Sequence, residues 1–318
     1  MQFPDSYFED EVRDGFYVPG MMKRAWAAQL EILEDIDKVC KKHEIQYFAE
    51  WGTLLGAVRH KGFTPWDDDM DICMKRADYN RFLAVAKEEL PGYSLLNCHN
   101  VHNGEIYWEF LTRVVNGKQV NFTEKHLDKF HGFPYVAGLD IFPMDFVAPA
   151  GQEALQVGLV NLVTIVINSM DSACVDEEGK EEQLCQVEEL CNVRLNRAGN
   201  IKQQLYFLME SLFSMYSEQE AEKITLMPLG LESPNLQMPK AYYQEIIRLP
   251  FENTEIPVPA AYDAILRKKY GNYLKPVKSG GAHEYPFYKR QEQVLEETYG
   301  IKLPKYVFSA ENLYFGQN

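Results

Sequence analysis

The sequence predicts an α/β fold, a mixed sheet packed with helices and interrupted by a largely helical insertion. The prediction rests on how apolar periodicity changes along the chain. From about residue 20 to 147, helical stripes alternate with short runs of strand period. From 150 to 217 only helical stripes occur. A strand run then returns at Ile246–Phe251, and a last helix follows it.

Met22, Trp26, Leu30, Leu33, Ile36 and Cys40 recur at helical spacing and predict an amphipathic helix ending near Lys42. Ile45–Phe48 reads as a short strand, Gly52 as a tight turn and Thr53–His60 as a short helix; Pro65 breaks the chain. Met70, Ile72 and Met74 alternate with Asp69, Asp71 and Cys73, which predicts a strand. Asp78 is expected to cap the next helix, and Pro91-Gly92 to end it. Tyr93–Cys98, Ile106–Val115, Gln119–Phe122 and Val136–Phe142 read as strands, with Asn116-Gly117 as a hairpin turn. Ala154–Met170 reads as a buried helix, and stripes at Leu184–Leu195 and Ile201–Tyr216 as two more. Pro259 is expected to open the last helix and Gly271 to close it.

With no Pro/Gly/Ser-rich linker, one domain over residues 1–308 is expected. Its core covers about 20–147 and 240–290, and its helical insertion about 150–235. Residues 309–318 contain Glu311–Phe315, the start of a common protease-cleavage tag, and are set aside as an appended segment.

The chain has 318 residues, with 32 Lys and Arg against 47 Asp and Glu, a net charge of −15. That argues against a nucleic-acid partner, which needs a basic face. A nucleotide remains compatible, because a divalent cation can bridge two anions. The six cysteines form no C-x-x-C pair and read as reduced thiols of a cytoplasmic protein. The acidic N-terminus lacks an apolar signal-peptide core. Ala154–Met170 is shorter than the ~20 apolar residues of a membrane span, so no transmembrane segment is expected.

Asp67, Asp68, Asp69 and Asp71 fall within five positions. Carboxylates this close repel one another unless a cation compensates. On a strand, Asp69 and Asp71 share a face while Met70 and Ile72 point to the core. Two oxygen donors so placed suit Mg²⁺ (or Mn²⁺) together with substrate phosphates. The bland alternative is an acidic turn in which Asp67 or Asp68 caps backbone. An EF-hand fails, because Ile72 stands where glycine is required and Asp78 where glutamate is.

Upstream, Gly52 allows close backbone approach, Thr53 opens a helix whose free N–H groups attract phosphate, and Arg59 can add a bidentate contact. Leu139 and Ile141 flank Asp140 as core residues, making it a candidate third carboxylate or a buried hydrogen-bonded one. Asp145 is a rival, read chiefly as a turn cap after Pro143. Arg113 is either a phosphate contact or a surface ion pair, and His283 either a ligand contact or a solvated loop histidine.

Gly52-Thr53-Leu54-Leu55-Gly56-Ala57-Val58-Arg59-His60 followed by Pro65-Trp66-Asp67-Asp68-Asp69-Met70-Asp71 closely resembles the LicD family, relatives of fukutin and fukutin-related protein. Leu139–Asp145 looks like that family's second motif, and Tyr262-Asp263 through Tyr270-Gly271-Asn272-Tyr273 to His283 like its C-terminal region. The resemblance implies a nucleotidyltransferase-like core with Asp69, Asp71 and Asp140 as catalytic metal ligands. Gly52, Thr53, Arg59, Arg113 and His283 would then be substrate-binding. It further implies transfer of a phospho-alcohol, phosphocholine or a polyol phosphate, from a CDP-activated donor to a glycan or lipid-linked glycan acceptor. Nucleotidyl transfer to a small-molecule hydroxyl is the alternative. Trp51 stands where many relatives have glycine, and Trp51, Trp66, Trp108 and Tyr107 are candidates for a choline cage.

Overall fold

The computed structural model describes residues 1–102, 104–277 and 285–301, and the backbone of 305–308 and 313–316. A short hairpin, β1 (Glu11–Arg13) and β2 (Phe16–Val18), leads into helix α1 (Gly20–Lys42), whose apolar stripe is buried from Met22 to Cys40. Trp26 on that stripe stacks on Phe63 with ring centroids 4.9 Å apart. Beyond α1 come β3 (Phe48–Ala49), α2 (Trp51–Arg59), β4 (Asp71–Lys75) and α3 (Arg76–Glu89). Next are β5 (Ser94–Leu96), the small β6 (Val101–His102) and β7 (Glu105–Ile106), β8 (Thr112–Val115), α4 (Glu124–Lys129) and β9 (Gly138–Phe146).

The main sheet has seven strands. Its path runs β11 (Met238–Pro239), β10 (Lys223–Leu226), β9, β4, β3, and β8 joins β9 to β5. Only β4 and β9 pair in parallel among these strands; the other ladders are antiparallel. The parallel pair lies deep in the sheet, as the apolar run Ile72–Met74 and the buried Leu139 and Ile141 require. A separate hairpin, β12 (Ile246–Phe251) and β13 (Thr254–Pro259), packs Phe251, Ile256 and Val258 into the same core.

Helices α5 (Glu153–Met170), α6 (Glu177–Cys191) and α7 (Ile201–Phe213) enclose a second apolar cluster, which includes Val160, Val163, Leu205, Met209 and Phe213. Strand β10 falls within the span expected to be helical, yet it joins the main sheet. The short α8 (Leu229–Glu232), then α9 (Tyr262–Tyr270) and α10 (Lys289–Tyr299), complete the order. α10 is fastened to the start of β9: the Gln291 side chain accepts from Val136 N (2.9 Å) and donates to its carbonyl (3.1 Å).

Several sequence expectations are corrected. Gly52 lies inside α2 rather than in a turn, because Glu50 caps that helix by accepting from Trp51 N at 3.0 Å. Asp78 sits in the first turn of α3 and pairs with Arg81; Lys75 holds the cap position. Gln119–Phe122 is not a strand and Asn116-Gly117 makes no hairpin. Asn116 is committed sideways instead, its side chain accepting from Ala137 N (2.9 Å) and donating to Tyr135 O (3.3 Å). Pro259 ends β13 rather than opening α9. Ala154–Met170 is a helix, but only a third of it is buried: Gln156, Val160, Val163 and Val166 face inward while Leu155 and Ile165 face solvent. Among the described residues it is the one helix long and apolar enough to cross a membrane.

Candidate active site

The site is assembled where α2, β4 and β9 meet. Thr53 Oγ1, in the first turn of α2, accepts from Asp71 N (2.9 Å), while Glu50 N donates to Asp71 O (3.0 Å). The helix start is thus tied to both backbone groups of Asp71. On the far side, Asp140 N donates to Met70 O (3.0 Å), and Asp71 and Asp140 are register partners in the parallel ladder. Burial alternates as a strand demands: Met70 and Ile72 are buried, Asp69 and Asp71 half-buried.

Gly52 has no room for a side chain. A Cβ there would fall 1.8 Å from Asp67 Oδ2, so the close approach expected of this glycine is made by a carboxylate of the same chain. Asp68 fills the capping role expected of an acidic turn, accepting from Phe287 N at 2.5 Å.

The electrostatics are those of crowded acids. Burial pushes Asp71 well above the usual carboxylate range, and the charges of Asp69, Asp140 and Asp67 push the same way against the opposing charge of Arg113. Burial and the neighbouring Asp69 push Asp67 up to about 8. Arg113, opposite Asp140 across β8 and β9, donates Nε and Nη2 to both Asp140 oxygens at 2.5 Å. It compensates one carboxylate and leaves the rest in excess. An all-oxygen donor set with uncompensated negative charge fits a hard divalent cation. Beside it opens a cavity of about 600 Å³, lined by Asp69, Arg113, Asp140, Phe287, Lys289 and Arg290.

Residues 44–147, which span α2, β4 and β9, match the nucleotidyltransferase domain described as LicD/FKTN/FKRP. Over 262 residues the chain is 28% identical to the lipopolysaccharide cholinephosphotransferase LicD of Haemophilus influenzae, covering 77% of this chain and 88% of that protein. Residues 44–147 thus carry a LicD-type nucleotidyltransferase domain. The chain is an enzyme of the transferase class. An uncharacterised protein of Rickettsia typhi is 34% identical over 119 residues, 36% of this chain and 34% of its own length.

Around this LicD-type domain the remaining sequence-derived candidates fall as follows. Arg59 donates Nη1 to Tyr273 O (2.9 Å) and lies over the Trp66 ring, joining the end of α2 to the segment after α9. His283 lies outside the described residues. Asp145 is no turn cap: it is a buried residue of β9 on the face opposite Asp140, and it holds Arg76 through both oxygens (2.8 and 2.6 Å). The aromatic candidates stand in separate surroundings. Trp51 lies under Lys269, Trp66 beside Phe16 and His60, Trp108 against Tyr206, and Tyr107 beneath Arg113.

Sequence reasoning assigned no site role to three further participants, although two of them fall inside the Tyr262–Tyr273 motif. Lys269 of α9 forms a buried pair with Glu50, the residue that caps α2. The Tyr270 hydroxyl is raised by burial and by the charges of Asp67 and Asp71. The Lys289-Arg290 turn lines the cavity from the far end of the chain.

Proposed function

We propose that this protein transfers a phospho-alcohol, phosphocholine or a polyol phosphate, from a CDP-activated donor to a hydroxyl of a glycan or lipid-linked glycan in cell-surface polysaccharide synthesis. The observation that carries the reading is the parallel pairing of Asp71 with Asp140, with Asp69 on the same half-buried face and the cavity alongside. The Haemophilus relative, named as a lipopolysaccharide cholinephosphotransferase, supports the choice of transferred group.

Asp69, Asp71 and Asp140 would hold Mg²⁺ or Mn²⁺, which when bound supplies charge neutralisation of the donor's diphosphate and of the departing CMP. The acceptor hydroxyl attacks the phosphorus bearing the alcohol, and the phosphoanhydride bond to CMP breaks. Arg113 engages both oxygens of Asp140, so Asp140 would meet the ion through its remaining lone pairs as a fixed ligand rather than act as the group that takes the hydroxyl proton. That proton passes to Asp69, the other carboxylate lining the cavity. Lys289 and Arg290 supply the cationic wall for phosphate oxygens. Thr53, Gly52 and the Glu50 cap fix the start of α2 against Asp71 and keep the cluster in place. A cytoplasmic location accords with six free cysteines.

The test is a panel of CDP-choline, CDP-ribitol and CDP-glycerol, scored for Mg²⁺-dependent thermal protection and then for CMP release with a glycan acceptor. CMP release that requires Mg²⁺ is expected. Pyrophosphate release from a nucleoside triphosphate would replace this reading with nucleotidyl transfer.

A further inference from the structure

We propose that Cys98, His99 and Glu210 form a zinc site that clasps α7 to the segment following β5. The three ligand atoms all lie within 4.8 Å of one another. Glu210 Oε2 is 3.7 Å from Cys98 Sγ and 2.7 Å from His99 Nε2. A tetrahedral ion bonded at roughly 2.3 Å to sulfur and 2.0 Å to nitrogen and oxygen holds neighbouring donors about 3.3–3.5 Å apart. His99 Nε2 and Glu210 Oε2 would part by roughly 0.6 Å to admit it, while the Cys98 sulfur already stands within about 0.2 Å of the required separation from Glu210.

The surroundings hold the donors in place. The His99 ring stacks on Phe207, centroids 5.0 Å apart, one helical turn before Glu210. Gln203, a turn earlier on the same face, donates to Cys98 O at 2.8 Å. The other Glu210 oxygen accepts from Arg76 (3.1 Å), which Asp145 grips from behind. Charge balance also favours an ion here. With Cys98 as thiolate, Glu210, Asp145 and Arg76 leave two negative charges, which a divalent cation cancels. On binding, the Cys98 thiol gives its proton to solvent and its sulfur contact to Glu210 is replaced by the metal bond. Cys98 and Glu210 are buried, while His99 is 37% exposed on its side chain, which leaves the fourth position open to water. A sulfur, nitrogen and oxygen donor set selects zinc over the hard cations that suit Asp69 and Asp71. The site shares no ligand with that cluster and does not depend on its function.

The full chain, purified without added metal and passed through gel filtration, is analysed for zinc. It is then stripped with a chelator and titrated with Co²⁺ while the thiolate-to-cobalt charge-transfer absorption is followed. Stoichiometric zinc and a saturable band are expected, with Tm falling on chelation and recovering with zinc. Cys98→Ser should abolish the band. Cys185→Ser, at an exposed thiol elsewhere, should leave it intact. His99→Ala, at a half-exposed ring whose loss the fold tolerates, should weaken zinc binding by at least about 100-fold, more than loss of an outer-shell partner does. Metal-free protein with no cobalt band overturns the proposal. So does a band that survives both Cys98→Ser and His99→Ala.

Discussion

Asp71 and Asp140 are direct partners in the parallel β4–β9 ladder, two acids placed side by side on one face of the sheet. Neighbouring strands are about 4.8 Å apart. Two unit charges at that distance repel by about 3 kcal/mol at an effective dielectric of 20, less where water screens them. Arg113 offsets part of this cost on the Asp140 side, and the divalent cation proposed above would offset the rest. Asp71→Asn should therefore act in two directions at once. Mg²⁺-dependent CMP release should drop by about three orders of magnitude or more, while the metal-free protein melts slightly higher than wild type. Enzyme assay and calorimetry on the same preparation check both, and retained turnover would remove Asp71 from the metal set.

Thr53 carries a second expectation. Its hydroxyl accepts the Asp71 N–H, and Thr53 itself is buried. Thr53→Val keeps the shape and removes the acceptor, leaving a backbone donor unsatisfied. That costs about 1–3 kcal/mol. Thr53→Ser keeps the acceptor and should cost less than half as much. Denaturant unfolding of the pair separates the lost hydrogen bond from lost packing.

How far such relationships could be read from sequence depends on their range. The helices α1, α6 and α7 and strand β12 were legible because apolar periodicity is a local signal. So was the order of a strand, the Gly52-Thr53 helix start and the acidic strand, which follow within about 30 positions; that Thr53 would bond Asp71 N was not legible. What stayed illegible is the partner of each charge. Arg76 meets Asp145 from 69 positions away, and Asp68 meets Phe287 N from 219. Nothing local distinguishes an acid that will find an arginine from one left to repel its neighbours. Asn116-Gly117 misled for the same reason. Its dipeptide is a turn signal, but the Asn116 amide is taken by Tyr135 and Ala137, just before β9.

Gly52 offers a sharper steric test than its place in a motif. A Cβ would meet Asp67 Oδ2 at 1.8 Å, whereas at Gly92 it would meet nothing within 4 Å. Gly52→Ala should cost about 1–3 kcal/mol through overpacking and push Asp67 away from the cluster. Gly92→Ala should be neutral within about 0.5 kcal/mol. Equal melting temperatures for the two variants would show that Asp67 moves aside freely.

Asp37 gives a pH dependence remote from the site. It accepts from Tyr47 Oη (2.7 Å) and Arg248 Nη1 (3.2 Å) and pairs with Lys41 (2.5 Å), joining α1 to the β12–β13 hairpin. Burial works to raise its carboxyl, but the bonds from Lys41 and Tyr47 and the charge of Arg248 outweigh burial and hold it below the usual carboxylate range. A carboxyl lowered by folding contributes stability that is complete above its unfolded value, about 3.9, and is lost as pH falls through the folded one. Asp37→Asn should thus lower stability by about 1–2 kcal/mol at neutral pH, the scale of hydrogen bonds to a charged group. The gap between variant and wild type should begin to close below about pH 4 and vanish once pH has fallen through the lower folded value, where the wild-type carboxylate is protonated too. Urea unfolding of both proteins at neutral and acid pH measures the gap, and a gap independent of pH would assign the loss to shape rather than charge.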